Sequence, residues 1–166
     1  MAARREDKAK RSGPFPAVPR EALAAVVGEM AAAHPWVEAV YLFGSRARGD
    51  ARPGSDVDLA VLPRPSNPPL DRITAEAGLA RFAEDQLGVP VDVVLIRREL
   101  SLGLLFDIFS VETILYARDP EVAHRVACQA RAEYRDERPR LERAFERVRR
   151  QIEEIANALN RVDSEY

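Results

Sequence analysis

The sequence predicts an α/β (α+β) domain followed by a helical C-terminal extension. Two observations carry this. Three short β-branched or aromatic runs, at 37–43, 56–62 and 91–96, alternate with longer segments whose apolar residues recur at helical spacing. Beyond Asp119 no strand pattern recurs, and the chain is charged and helix-prone to its end. With 166 residues and a 46% apolar composition, the chain is long enough for one buried core.

Residues 1–15 are charged and lack periodicity, which predicts a flexible lead-in. From Pro19 a helix is expected, because Leu23, Val26, Val27 and Met30 share one face, and His34-Pro35 closes it. Val37–Phe43 reads as a strand ending at Gly44-Ser45, and residues 46–55 as a polar, glycine-punctuated connection. Asp56–Leu62 reads as a second strand. Asn67-Pro68 is a cap-and-first-turn signal for a helix with Leu70, Ile73, Ala77, Ala80 and Leu87 on its face, ended by Gly88. Val91–Ile96 is near-continuously apolar, which predicts a strand buried on both faces. A short helix around Leu102–Phe109, a brief strand at Thr113–Tyr116 and helix from Asp119 complete the series, with Pro139 expected to break that last helix in two. The expected organisation is therefore a lead-in at 1–15, a domain at 16–138 and an amphipathic helix at 139–166.

In that last segment Leu141, Phe145, Val148, Ile152, Ile155, Leu159 and Val162 follow a strict heptad spacing. One reading is a helix lying across its own domain. The other is a docking or homodimerisation helix, since a narrow seam suits a helical partner better than a globular face does.

Composition removes several function classes. The longest apolar stretch, Leu100–Ala117, carries Asp107 and Glu112, too polar for a membrane span, and the N-terminus lacks the apolar core of a signal peptide, so a cytoplasmic protein is expected. One cysteine, Cys128, and two histidines, His34 and His124, cannot assemble a zinc-type cluster, so any metal must be held by oxygen. Cys128 is expected as a small buried or half-buried apolar residue and His34 as helix-end punctuation. A net charge of −2 does not mark a nucleic-acid coat, and direct nucleic-acid binding is not expected. All but two of the 25 basic residues are arginine, a side chain suited to phosphate contacts.

The chemistry concentrates in GSRARGDARPGSDVD, residues 44–58. Strand alternation puts Asp56 and Asp58 on one side, with Cα atoms roughly 6.5 Å apart. Asp92, inside VPVDVVLI, is a costly charge on a buried strand unless it is paired or bound to a cation. Three crowded carboxylates repel one another unless a divalent cation neutralises them, and oxygen-only ligation suits Mg²⁺ or Mn²⁺ shared with substrate phosphates. Gly44 allows close backbone approach to a phosphate, and the Ser45 hydroxyl can donate to its oxygens. Arg46, Arg48 and Ser55 complete the candidate nucleotide-binding set, although loop arginines are often merely solvated. For Asp56 and Asp58 the plainer reading is a pair of turn residues after Gly54-Ser55.

A Gly-Ser pair, ten residues, Asp-x-Asp and a later strand-borne Asp resembles the polymerase-β-type nucleotidyltransferase superfamily. Within it, the form GSRARGDARPGSDVDLAV is similar to the minimal nucleotidyltransferase (MNT) proteins, antitoxins to HEPN-domain ribonuclease toxins. The resemblance implies a mixed sheet flanked by helices, with Mg²⁺ and ATP at the strand ends. It implies that Asp56 and Asp58 bind metal and that Asp92 is the third carboxylate, helping to activate the attacking hydroxyl. It further implies that Gly44 and Ser45 hold the triphosphate and that AMP passes to a tyrosine of the cognate HEPN toxin, silencing it. About 30–45 residues follow the core, too few for an acceptor-holding domain, so the acceptor is expected on another protein. Two alternatives stay open: a small-molecule nucleotidyltransferase of the aminoglycoside-modifying type, and an antitoxin that acts by occlusion with a vestigial site. Arg118 and His124 reproduce the R-x5-H spacing of HEPN ribonucleases, which the preceding catalytic core makes a coincidence.

Overall fold

The computed structural model describes residues 18–162 apart from Pro53 and Glu112; the expected lead-in at 1–15 lies outside the described residues. The elements are α1 (Arg20–Ala33), β1 (Val37–Phe43), α2 (Gly44–Arg48), β2 (Val57–Pro63), α3 (Arg72–Leu87), β3 (Val91–Leu95), α4 (Leu102–Ser110), β4 (Ile114–Ala117) and α5 (Pro120–Val162). The strands form one mixed sheet in the order β3-β2-β1-β4. β1 runs antiparallel to β2 and β4, and β2 runs parallel to β3. The chain divides into two compact units, residues 1–131 and 132–166.

Both faces of the sheet are covered, which is why β1 is buried along nearly its whole length. Period-2 alternation sends Val40 and Leu42 of β1, Leu59 and Val61 of β2, and Val93 and Leu95 of β3 to one side. There they pack on Leu23, Val27 and Met30 of α1 and on Leu79 and Ala83 of α3. Ala39, Tyr41 and Ala60 face the other side, against Leu105, Ile108 and Phe109 of α4 and the small side chains Ala123, Ala127 and Ala130 of α5. Removing a Leu, Ile or Phe side chain of this core from water contributes roughly 1.5–3 kcal/mol. Tyr41 stacks edge-on against Phe109 at 5.0 Å and donates its hydroxyl to the Ala123 carbonyl at 3.0 Å. Burial, with a smaller contribution from the negative charge of Glu38, pushes the Tyr41 phenol up to about 12.

Several sequence expectations are met closely. α1 begins after Pro19 and ends at His34, whose ring lies 5.8 Å from Trp36 and 6.5 Å from Phe82. β1 occupies the expected seven residues, and Gly88 caps α3 in the left-handed region. Asp119 caps α5, accepting from the Glu121 and Val122 amides.

Others need correction. The connection expected at 46–55 opens as helix, because α2 starts at Gly44 and ends at Gly49 with φ 80°. α3 is capped by Asp71, not Asn67: Asp71 accepts from the Ile73 amide and the Thr74 hydroxyl. Its buried face is Leu79 and Ala83, while Leu70 and Ile73 are exposed. The alanines at 75, 77, 80 and 83 make several faces look alike in sequence, and the packing against the sheet selects one. β3 is not buried on both faces. It is an edge strand, with Val91, Val93 and Leu95 inside and Asp92 exposed. Cys128 is exposed, with its Sγ 3.4 Å from His124 Nε2, one turn away on α5.

Pro139 does not divide the last helix, since α5 continues through it. Proline there removes one amide donor, but the flanking Arg and Glu residues favour helix. Ion pairs one turn apart brace both sides: Arg140–Glu137 at 3.1 Å, Arg138–Glu142 at 2.7 Å and Arg149–Glu146 at 3.4 Å. Of the heptad stripe, Val148 and Ile152 are exposed. The side chains of Leu141, Phe145, Ile155, Leu159 and Val162 lie outside the described residues. No helix among the described residues is long and apolar enough to cross a membrane.

Candidate functional site

Three carboxylates meet at one end of the sheet. Parallel pairing sets Asp58 of β2 directly opposite Asp92 of β3. Asp56, two residues before Asp58 and just ahead of β2, falls on the same side of the chain by alternation. Each of Asp56, Asp58 and Asp92 offers an oxygen within 4.8 Å of the other two. Asp56 and Asp58 are half-buried and Asp92 is exposed. The cost expected for a charge on a buried strand is thereby relaxed, because Asp92 sits on the open side of an edge strand.

Gly44 completes the arrangement from the end of β1. Its φ is +68°, a conformation that L side chains rarely adopt. A Cβ built there would run into the Asp58 carboxylate, standing 2.9 Å from Cγ and 3.3 Å from Cβ. Glycine is thus needed twice, for the turn into α2 and for the approach of α2 to Asp58. Ser45 follows in the first turn of α2, with its carbonyl accepting from the Asp50 amide at 3.0 Å.

The remaining sequence candidates have definite partners. Arg46 donates from Nε to the Asp56 carbonyl at 3.0 Å and from Nη2 to the Ser55 carbonyl at 2.6 Å. The Ser55 hydroxyl accepts from the Arg52 amide at 2.9 Å and shapes the turn before Asp56. Arg48 reaches away, pairing with Asp107 of α4 at 2.8 Å and with Asp50 at 3.5 Å. The sequence reads Asp107 only as a charge interrupting an apolar stretch and not as a partner of Arg48. A single charge in the otherwise apolar run of α4 was its signal, but its partner lies 59 residues away in sequence.

The donor set consists of hard carboxylate oxygens, converging from three chain positions and crowded by a residue that lacks a side chain. Carboxylates held so close repel one another, and a divalent cation relieves that repulsion while leaving coordination positions for water and phosphate oxygens. The residues present fit a Mg²⁺-type ion. Arg118 and His124, by contrast, are both exposed residues near the start of α5, outside this cluster.

Residues 27–121 match the family described as polymerase beta, nucleotidyltransferase. No curated protein matches the chain. Among solved structures, it resembles a chain of a toxin–antitoxin complex with AMP-PNP, at 24% identity and a TM-score of 0.63, over 75% of this chain and 97% of that one. It also resembles a chain from the tri-AMPylated Shewanella oneidensis HEPN toxin in complex with MNT antitoxin, at 21% identity and a TM-score of 0.61, over 78% and 98%. A third is the toxin–antitoxin MntA-HepT, at 22% identity and a TM-score of 0.58, over 75% and 95%. At these identities the likeness shows a common fold.

Proposed function

Since the chain belongs to the polymerase β nucleotidyltransferase family, we propose that it is a Mg²⁺-dependent protein adenylyltransferase, an antitoxin that moves AMP from ATP to a tyrosine of a cognate HEPN ribonuclease toxin. The observation that carries this reading is the convergence of Asp56, Asp58 and Asp92 within 4.8 Å, beside a glycine that can have no side chain.

Asp56, Asp58 and Asp92 would hold the metal, with Mn²⁺ a possible substitute. When bound, it supplies charge neutralisation at the α-phosphate and at the leaving pyrophosphate. The Gly44 main chain can approach the triphosphate closely, and Ser45 offers a hydroxyl to its oxygens. The acceptor oxygen attacks the α-phosphorus while the bond to the β-phosphate oxygen breaks, so AMP stays on the acceptor and pyrophosphate departs. The proton of the attacking hydroxyl passes to Asp92. This carboxylate is the most exposed of the three, on an edge strand, where a residue carried by a second protein can reach it. Holding the acceptor in line with the breaking bond supplies most of the remaining rate enhancement.

The partner is supported by the solved complexes that share this fold, one carrying an ATP analogue and one an AMPylated HEPN toxin. The test is incubation with Mg²⁺, ATP and the product of the adjacent gene, followed by intact-mass measurement of both chains. Mass added to the partner in steps of one AMP, and lost in Asp58→Asn, is the expected result. A tight complex without added mass would assign neutralisation to occlusion. Neither mass nor complex would send the search to small-molecule acceptors.

A further inference from the structure

We propose that Arg46 is a positioning residue for the carboxylate cluster, holding Asp56 in place through its main chain. The inference rests on the reading of that cluster as a divalent-cation site. Asp58 and Asp92 are located by the sheet, where Asp58 pairs with Phe43 on one side and with Asp92 on the other. Asp56 lies one residue outside β2, whose first amide, that of Val57, donates to the Pro90 carbonyl at 2.9 Å. It follows the irregular stretch after α2, where the Ser55 amide donates to the Arg52 carbonyl at 2.9 Å and the Arg52 amide to the Ser55 hydroxyl at 2.9 Å, a local turn. Arg46 bridges that gap. Its planar fork donates to two consecutive carbonyls, Ser55 at 2.6 Å and Asp56 at 3.0 Å, and so ties the loop's end to the helix that begins with Gly44.

Coulomb's law gives this role a distinctive sign. A guanidinium bonded to the main chain of a metal-ligand residue opposes a cation at that site, so deleting its charge by itself tightens metal binding. If Arg46 instead aims Asp56, deleting it weakens metal binding, because partners that orient the ligands of a metal typically contribute about 10–100-fold in affinity. The two effects run in opposite directions. Only the second identifies a positioning residue.

The test is Mn²⁺ titration of the full chain by calorimetry without nucleotide, then with a non-hydrolysable ATP analogue, for wild type, Arg46→Met, Arg46→Lys and Arg48→Met. Melting curves run alongside to verify folding. Arg46→Met is expected to weaken Mn²⁺ alone by about 10–100-fold. Arg46→Lys, which keeps the charge and one donor, recovers part of the loss. Arg48→Met, which removes an equal charge from the same helix but releases only Asp107 and Asp50, leaves Mn²⁺ affinity unchanged or slightly tighter. Undiminished Mn²⁺ binding in Arg46→Met overturns the proposal. So does a loss confined to the ATP analogue, which would make Arg46 a phosphate contact. Failure of wild type to bind Mn²⁺ refutes the cation reading of the cluster itself, a separate outcome from these.

Discussion

Replacing Gly44 with alanine separates the two demands made on that residue. The first is conformational: at φ +68° a non-glycine residue costs about 1–2 kcal/mol. In a domain of this size that lowers Tm by about 2–8 °C. The second is steric. The new Cβ stands 2.9 Å from Asp58 Cγ, against an ordinary carbon–carbon contact of about 3.5 Å, so the Asp58 side chain must retreat by at least about 0.6 Å. Its nearer oxygen has further to go. A carboxylate can swing aside cheaply, so the clash adds little to the stability cost, but a displacement near 1 Å in the proposed metal-binding cluster lowers turnover by about 100-fold. Gly49→Ala supplies the control. Gly49 has φ +80° and nothing within 4 Å of an added Cβ, so it bears the conformational cost alone. Both variants should melt earlier by similar amounts in a thermal scan. Only Gly44→Ala should lose the proposed AMP transfer, measured as mass added to the proposed HEPN partner. Full transfer by Gly44→Ala, or equal loss in both, would refute the argument that Gly44 is kept clear for Asp58.

Further outcomes follow from the same geometry. Asp58→Asn should abolish transfer yet leave the metal-free chain as stable as wild type or more so, since one of three repelling charges is gone; a lower metal-free Tm would show that Asp58 supports the fold. Tyr41→Phe should cost about 1 kcal/mol in denaturant unfolding near neutrality, by loss of the hydrogen bond to Ala123. Because the folded-state pKa is raised to about 12, the Tyr41 contribution is intact below pH 10 and lost as pH rises from 10 towards 12. The variant should therefore lack that alkaline decline. Thr74 and Ile73 hold the Asp71 carboxyl below its ordinary value, chiefly through the Thr74 hydrogen bond, so Asp71→Ala should lower Tm at neutral pH. That difference should close as pH falls through the lowered value, and a gap that persists in acid would point to a role other than the cap. Ile152→Glu, at an exposed position of α5, should weaken complex formation with the proposed HEPN partner without changing ATP binding, and unchanged complex formation would return the helix to a role within its own chain.

The strand–helix order was legible because buried β-branched runs and helical spacing are local signals, and β1, α1 and α4 fall within a residue or so of expectation. The three carboxylates were legible for a related reason. Asp-x-Asp ten residues after Gly-Ser, with a further acid inside an apolar strand, is a combination that near-neighbour spacing displays without the fold. Other features were hidden. The cap of α3 could not be chosen between Asn67 and Asp71 from spacing, because the choice depends on how Leu79 and Ala83 meet the sheet. The partners of Arg46 were invisible, since a loop arginine reads alike whether it meets phosphate, water or a carbonyl ten residues on. Pro139 was over-read, because a proline inside a strongly helix-favouring segment costs a bond without ending the helix.

Sequence by itself determined the chemistry available to this protein: oxygen ligands only, three aspartates, and a glycine at the end of the first strand. Those properties depend on residue type and near-neighbour spacing, which the chain carries without folding. Tertiary structure decided what the aspartates can do together. Asp92 comes opposite Asp58 only because β2 and β3 run parallel, through a crossover that includes α3, and no local pattern sets the register of strands separated by a helix. The same pairing left β3 at the sheet edge, which turned a costly buried charge into an exposed carboxylate that a second protein can approach.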